Sequence, residues 1–171
     1  MEKSPSTFLR RTVRVRDCEN MIRWIENEHV SRYLNESRTL TREISSLLSR
    51  SPEDLLTFHF NQHGCFYLVS GSDGDSIGYA KLQPLSARRY EVVYVIGEEE
   101  LWGRGFGEKA LDQVLSAAFL ENRAQAVIAR ICRGNTRSLR TAARCGMRLV
   151  RQDDAMCVFE ITEADYWKRS N

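Results

Sequence analysis

Gly103, Gly105 and Gly107 fall at every second position of the stretch LWGRGFGEKAL, Leu101 to Leu111. They follow the apolar run Val92 to Ile96 and precede a strong helical pattern. Such a junction suits an anion. Glycine permits backbone conformations closed to other residues and lets a ligand approach the main chain. The first helical turn then offers unpaired N–H groups at the positive end of the macrodipole, a site for phosphate or pyrophosphate. A glycine-rich turn also serves as a plain connector, so the rest of the chain must decide. Arg137, Arg140 and Arg144 fall at i, i+3 and i+7, one basic stripe able to meet phosphates, although a solvated face is the expectation for at least two of them. His59 and His63 sit at i, i+4 with no carboxylate motif beside them, and His29 stands apart, so no metal site is expected.

The bulk properties narrow the class. The chain has 171 residues, 42% hydrophobic and 28% charged, which fits a single globular domain over 1–171 with a sizeable core. A net charge of +2 argues against a nucleic-acid binder acting through a broad basic surface. No run reaches the ~18 apolar residues of a membrane span, and Met1 to Arg11 lacks the apolar core of a signal peptide, so a cytoplasmic protein with no membrane partner is expected. The five cysteines, Cys18, Cys65, Cys132, Cys145 and Cys157, contain no CxxC pair and read as reduced, mostly buried thiols.

The elements that position the glycines follow from periodicity. Thr12 to Arg16 alternates like a strand, with Asp17 as the N-cap of a helix carrying Met21, Ile22, Trp24 and Ile25. A second short helix is expected within Asn27 to Asn35, a polar loop over Ser37 to Thr41, a helix through Ile44, Leu47 and Leu48 to about Arg50, and a helical turn from Ser51 to Asp54. Cys65 to Ser70 and Ser76 to Leu85 read as a hairpin around Ser72 to Asp75, with Pro84 at its end or at an edge. Tyr90 to Ile96 is a third strand running into the glycines. Beyond them come a helix with Ala110, Leu111, Val114, Leu115, Ala118 and Phe119 inward, a central strand Ala126 to Cys132, a helix Asn135 to Arg144 closed by Cys145 and Gly146, and two strands, Met147 to Arg151 and Ala155 to Thr162. The strand-helix-strand unit from Tyr90 to Cys132 predicts a parallel pair and a mixed α/β fold.

In this setting EVVYVIGEEELWGRGFGEKAL, Glu91 to Leu111, resembles motif A of the GNAT superfamily of N-acetyltransferases, which grips the pyrophosphate of acetyl-CoA. NTRSLRTAARCGM, Asn135 to Met147, resembles the family's motif B. The opening, Val13 to Asp17 with Trp24 and Arg32 to Leu34, is similar to the branch that acetylates ribosomal-protein N-termini and its polyamine-acetylating relatives. Three departures stand out. Trp102 begins the pyrophosphate loop where glutamine or arginine is usual, Met147 replaces a phenylalanine, and Ala142 occupies the position of a tyrosine that acts as general acid in many members. The resemblance implies a mostly antiparallel twisted sheet of about seven strands, helices on both faces and a parallel central pair.

It also implies the site. Val93 to Ile96 would splay from Ile131 and its neighbours, leaving main-chain groups near Val95 or Ile96 for the pantetheine arm and the thioester oxygen. The backbone of Gly103, Arg104, Gly105, Phe106 and Gly107 would hold pyrophosphate, with Lys109 auxiliary and Glu98 to Glu100 in a solvated loop. Asn135 would bond pantetheine or cap its own helix. Glu91 matches a position often acidic in the family and is the lead base, with Glu160 as fallback, because an amine of pKa ~10.4 must lose a proton before attacking. Ser138 would protonate the leaving thiolate. Trp24, Tyr33 and Phe58 would line or support the acceptor cleft, although aromatics at helical spacing are more often core, and Glu26, Glu28, Arg32, Arg88 and Arg89 would give it mixed charge, suited to neither a strongly cationic nor a strongly anionic substrate. The expected function is N-acetyl transfer from acetyl-CoA to a primary amine, a protein N-terminus or a small molecule such as a polyamine, by direct attack in a ternary complex. A homodimer is compatible with this reading. The alternatives are an acetyl-CoA sensor of the same fold and another phosphate-binding α/β protein. The chain lacks the Gly-Lys-Ser/Thr end of a nucleotide loop, against the latter.

Overall fold

The computed structural model of the protein describes residues 6–34, 36 and 39–169. Its strands are β1 (Phe8–Arg10), β2 (Cys65–Ser70), β3 (Ser76–Ser86), β4 (Arg89–Ile96), β5 (Ala126–Cys132), β6 (Arg148–Gln152) and β7 (Met156–Thr162). They form one sheet in the order β1-β2-β3-β4-β5-β7-β6. Every neighbouring pair is antiparallel except β4 and β5. The helices are α1 (Val15–Glu26), α2 (Glu28–Ser31), α3 (Leu40–Arg50), α4 (Leu56–Phe60), α5 (Phe106–Ser116), α6 (Thr136–Arg144) and α7 (Glu163–Arg169).

Strand alternation divides the core between the two faces of this sheet. Phe66, Leu68, Tyr79 and Val95 meet Met21, Trp24, Ile44, Leu47 and Leu56 from α1, α3 and α4. Tyr67, Ala80, Leu82 and Val92 turn the other way and meet Leu111, Val114 and Leu115 of α5, with Ala142 of α6 and Tyr166 of α7. Leu111, Val114 and Leu115 have no exposed surface. Burying each is worth about 1.5–3 kcal/mol, which anchors α5 and so fixes the loop before it.

The N-terminal expectation is corrected. Thr12 to Arg16 is not a strand; β1 lies at Phe8–Arg10, and α1 begins at Val15. The N–H groups of Val13 and Val15 bond Thr57 Oγ1 and Glu53 Oε1, both at 2.9 Å, so side chains satisfy them instead of a strand ladder. Asp17 is the third helical residue, not the N-cap, and accepts the Arg14 N–H at 2.8 Å. Of the Ser37 to Thr41 loop, Ser37 and Arg38 lie outside the described residues, as does Asn35, and Leu40 and Thr41 already belong to α3. Helix α7 was not anticipated. Thr162 and Asp165 cap it, with Asp165 N–H to Thr162 Oγ1 at 3.2 Å, and Tyr166 stacks on Phe119 with centroids 4.7 Å apart. Pro84 lies past the end of the β2 ladder, whose last pair is Cys65 with Leu82, so its missing N–H costs no bond on that side.

Candidate coenzyme and acceptor site

The site begins where two parallel strands separate. β4 pairs with β5 only at Arg89 with Ala126, Tyr90 with Val127 and Glu91 with Ile128. From there to Ile96 and Cys132 the strands diverge, leaving a wedge with main-chain edges on both sides. Which groups of β4 face that wedge follows from its register with β3. Gly97 N–H bonds Ile77 O at 2.9 Å, and Ile96 lies opposite Gly78. Antiparallel pairs alternate, so Val95 and Val93 are bonded to β3, whereas the N–H and C=O of Tyr94 and Ile96 turn into the wedge. Of the two residues expected to offer an N–H there, only Ile96 does so; Val95 borders the cavity but spends its main-chain groups on β3.

Beyond β4 the glycine loop turns sharply into α5. Gly103 and Gly105 have φ of 74° and 85°, a left-handed conformation that glycine alone adopts without strain. Gly105 is the residue before the first turn of α5, and no side chain caps that end. The first-turn N–H groups, from Phe106 to Glu108, therefore point at the space a phosphate would fill. A cavity of about 300 Å³ lies against them, bordered by Trp102, Gly103, Gly105 and Gly107 on one side and by Arg137, Arg140 and Arg144 on the other. All three arginines of the stripe border it, and all three are also exposed, as expected of a solvated face. The side chains of Arg104, Phe106 and Lys109 do not border it. Phe106 packs beside Val69, Ile77 and Ala110, with the Arg104 guanidinium 5.8 Å from its ring centre.

Trp102 ties this loop to the wedge. Its Nε1–H bonds Ile96 O at 2.8 Å, and the Arg137 guanidinium lies over its ring, 3.6 Å from the centroid. Glu98 and Glu99 are not a free solvated run. Glu98 accepts Arg23 at 2.5 Å and the Trp24 indole N–H at 2.8 Å, and Glu99 accepts Asn27 at 2.6 Å and meets His29 Nδ1 at 3.0 Å. These bonds point both carboxylates at α1 and α2, away from the loop. The hydrogen bond from Arg23 is the main reason the Glu98 carboxyl is held below its usual value.

On the far side of the wedge, Asn135 Oδ1 accepts the Ser138 N–H at 3.2 Å, capping α6 and using only the carbonyl oxygen. Tyr94 reaches across from β4, its hydroxyl 3.4 Å from Ser138 O, and burial pushes its pKa up to about 12. A second cavity of about 500 Å³ holds Glu91, Lys81, Gln83 and Arg130. The two cavities meet, because Tyr33, Leu34, Tyr94, Asn135 and Ser138 border both. Glu91 is 8% exposed, and both its oxygens are held by Arg130, at 2.8 and 2.5 Å. Glu160 is paired with Arg89 at 2.6 Å and borders neither cavity.

Of the three aromatics expected to line or support the acceptor cleft, Tyr33 borders both cavities, Trp24 is core, the alternative for an aromatic at helical spacing, and Phe58 is 64% exposed on α4 and borders neither. Glu26, Glu28, Arg32, Arg88 and Arg89 border neither cavity. The sequence reading missed Tyr94, Glu36, Lys81, Gln83 and Arg130. The splay of Val93 to Ile96 is expected, but the period-two pattern could not say that the Tyr94 side chain crosses the gap to Ser138.

Comparison with known proteins agrees with this geometry. A sequence search of curated proteins finds no match. Among solved structures, the aminoglycoside acetyltransferase AAC(6')-Ib in complex with coenzyme A is similar at a TM-score of 0.76 and 15% identity, covering 97% of this chain and 100% of that one. A spermidine N-acetyltransferase from Vibrio cholerae in complex with CoA and spermine has a TM-score of 0.74 and 15% identity, with coverage of 94% and 98%. A domain from Methanocaldococcus jannaschii has a TM-score of 0.71 and 18% identity, with coverage of 92% and 99%. At these identities the likeness is one of fold. The family profile for the acetyltransferase (GNAT) domain matches residues 8–148. With a splayed parallel pair, a glycine loop before α5 and a capped motif B helix in one wedge, the chain belongs to the GNAT family of acetyltransferases, whose cosubstrate is acetyl-CoA.

Proposed function

We propose that the protein moves the acetyl group of acetyl-CoA to a primary amine by direct attack, with both substrates bound together. The observation that carries this reading is the meeting of two cavities at Tyr94, Asn135 and Ser138, one bordered by the glycine loop and three arginines and the other by Glu91. The N–H of Ile96 bonds the thioester oxygen as negative charge develops on it. The backbone from Gly103 to Gly107 receives the pyrophosphate, and Asn135 bonds the pantetheine arm. Glu91 takes a proton from the bound ammonium, directly or through a water, so that the neutral amine attacks; a carboxylate keeps lone pairs for this beyond those used by Arg130. Ser138 passes its hydroxyl proton to the departing thiolate, directly or through a water, and is reprotonated from solvent in the same step; a thiol pKa near ~8.5 makes that contribution modest. The protein works in the cytoplasm.

A thermal shift with acetyl-CoA, set against ATP and NAD, tests the donor. No response to acetyl-CoA sinks the proposal. Release of free thiol with an amine panel then tests transfer. Helix α6 contains no tyrosine and so supplies no tyrosine acid, and a purely acetyl-CoA-binding module is the second reading. Binding without thiol release from any amine would favour it.

A further inference from the structure

The two cavities differ in charge in a way that bears on the acceptor. The coenzyme cavity sets Arg137, Arg140 and Arg144 against Glu108, an excess of cations suited to phosphates. The acceptor cavity is balanced. Among the described residues its carboxylates are Glu36 and Glu91 and its cations Lys81 and Arg130. Both carboxylates are already engaged. Glu36 lies 2.6 Å from Lys81 Nζ and accepts the Tyr79 hydroxyl at 3.2 Å, and Glu91 is gripped by Arg130 at both oxygens. The anions are also the more buried partners: the side chains of Glu36 and Glu91 are 13% and 11% exposed, those of Lys81 and Arg130 17% and 50%.

We infer that the acceptor is an amine with no second cationic centre, a single amino group on a neutral or acidic body, and that polyamines and other polycations are excluded. This inference rests on the acetyl-transfer reading above. A second ammonium entering the cavity would find both carboxylates already neutralised by Lys81 and Arg130 and would sit beside those like charges with no uncompensated anion to hold it. An amine carrying one charge avoids that cost.

The test is thiol release with a matched set: pentylamine, its ω-hydroxy and ω-carboxy analogues, cadaverine and spermidine. Like-charge juxtaposition is expected to place kcat/KM for the first three at least about tenfold above that for cadaverine or spermidine. Lys81→Met leaves Glu36 without its ammonium partner and should shift the cadaverine-to-pentylamine ratio about tenfold toward cadaverine. Because that ratio is taken within one protein, a general loss of activity cancels, and Lys81→Gln provides the same reading if the methionine variant does not fold. A wild-type preference for cadaverine or spermidine, or an unchanged ratio in both variants, overturns the inference and leaves acetyl transfer standing. A thermal shift with acetyl-CoA but no thiol release from any amine overturns the transfer reading, and the inference falls with it.

Discussion

The indole Nε1–H of Trp102 bonds the carbonyl oxygen of Ile96 at 2.8 Å, so the residue that opens the glycine loop holds the end of the splayed strand. With Arg137 over the same ring, one side chain links β4, the loop and α6. Trp102→Phe keeps the ring and loses the bond, and should weaken acetyl-CoA binding about threefold. Trp102→Ala loses the ring as well and should weaken it about tenfold. Calorimetric titration with acetyl-CoA measures both, and equal affinities across the three proteins would remove the tether from the account.

The glycine loop separates backbone strain from ligand contact. Gly105 has φ of 85°, so Gly105→Ala should cost about 1–2 kcal/mol and lower Tm by a few degrees. At Gly107 an added Cβ would come no nearer than 3.7 Å to Tyr94, an ordinary contact. Gly107→Ala should therefore leave Tm unchanged while weakening acetyl-CoA binding. Thermal unfolding with and without acetyl-CoA distinguishes the two, and a large Tm loss in Gly107→Ala would count against this division.

The two proposed proton carriers should differ in weight. Glu91→Gln is expected to lower kcat about a hundredfold with little change in acetyl-CoA affinity, as for loss of a general base. Ser138→Ala should cost less than about tenfold, since the thiolate leaves with modest help. Steady-state kinetics at saturating amine reads both, and a Glu91→Gln enzyme with near-normal kcat would move the base to a water.

Asp17 sets an acid limit on stability. Burial raises its pKa, but the Arg10 fork at 2.8 and 2.9 Å and the Arg14 N–H outweigh burial, so the carboxyl is held below its ordinary value. A depressed carboxyl stabilises the fold above its unfolded pKa of about 3.9, and that stability is lost as pH falls through the lower folded value. Asp17→Asn should destabilise the protein at neutral pH by about 3 kcal/mol, because Arg10 is left buried without its partner, and should flatten the acid limb of the stability curve. Urea unfolding at a series of pH values measures both effects.

The sequence by itself determined the elements around the coenzyme and their order. Alternation in Tyr90 to Ile96, glycines needing positive φ, and an asparagine three residues before Ser138 are local signals, and local backbone physics decides them. It could not place β1 or exclude a strand at Thr12 to Arg16, because the N–H groups of Val13 and Val15 find their partners on Thr57 and Glu53, some forty residues on. Nor could it find the acceptor cavity. Glu36, Lys81, Glu91 and Arg130 come from a loop and three strands, and only the sheet register brings their charges together. The same register decided that Ile96, and not Val95, turns its N–H into the wedge. Alternation identifies opposite faces of a strand, but which edge a peptide group bonds depends on the neighbouring strand, which is a property of the tertiary fold.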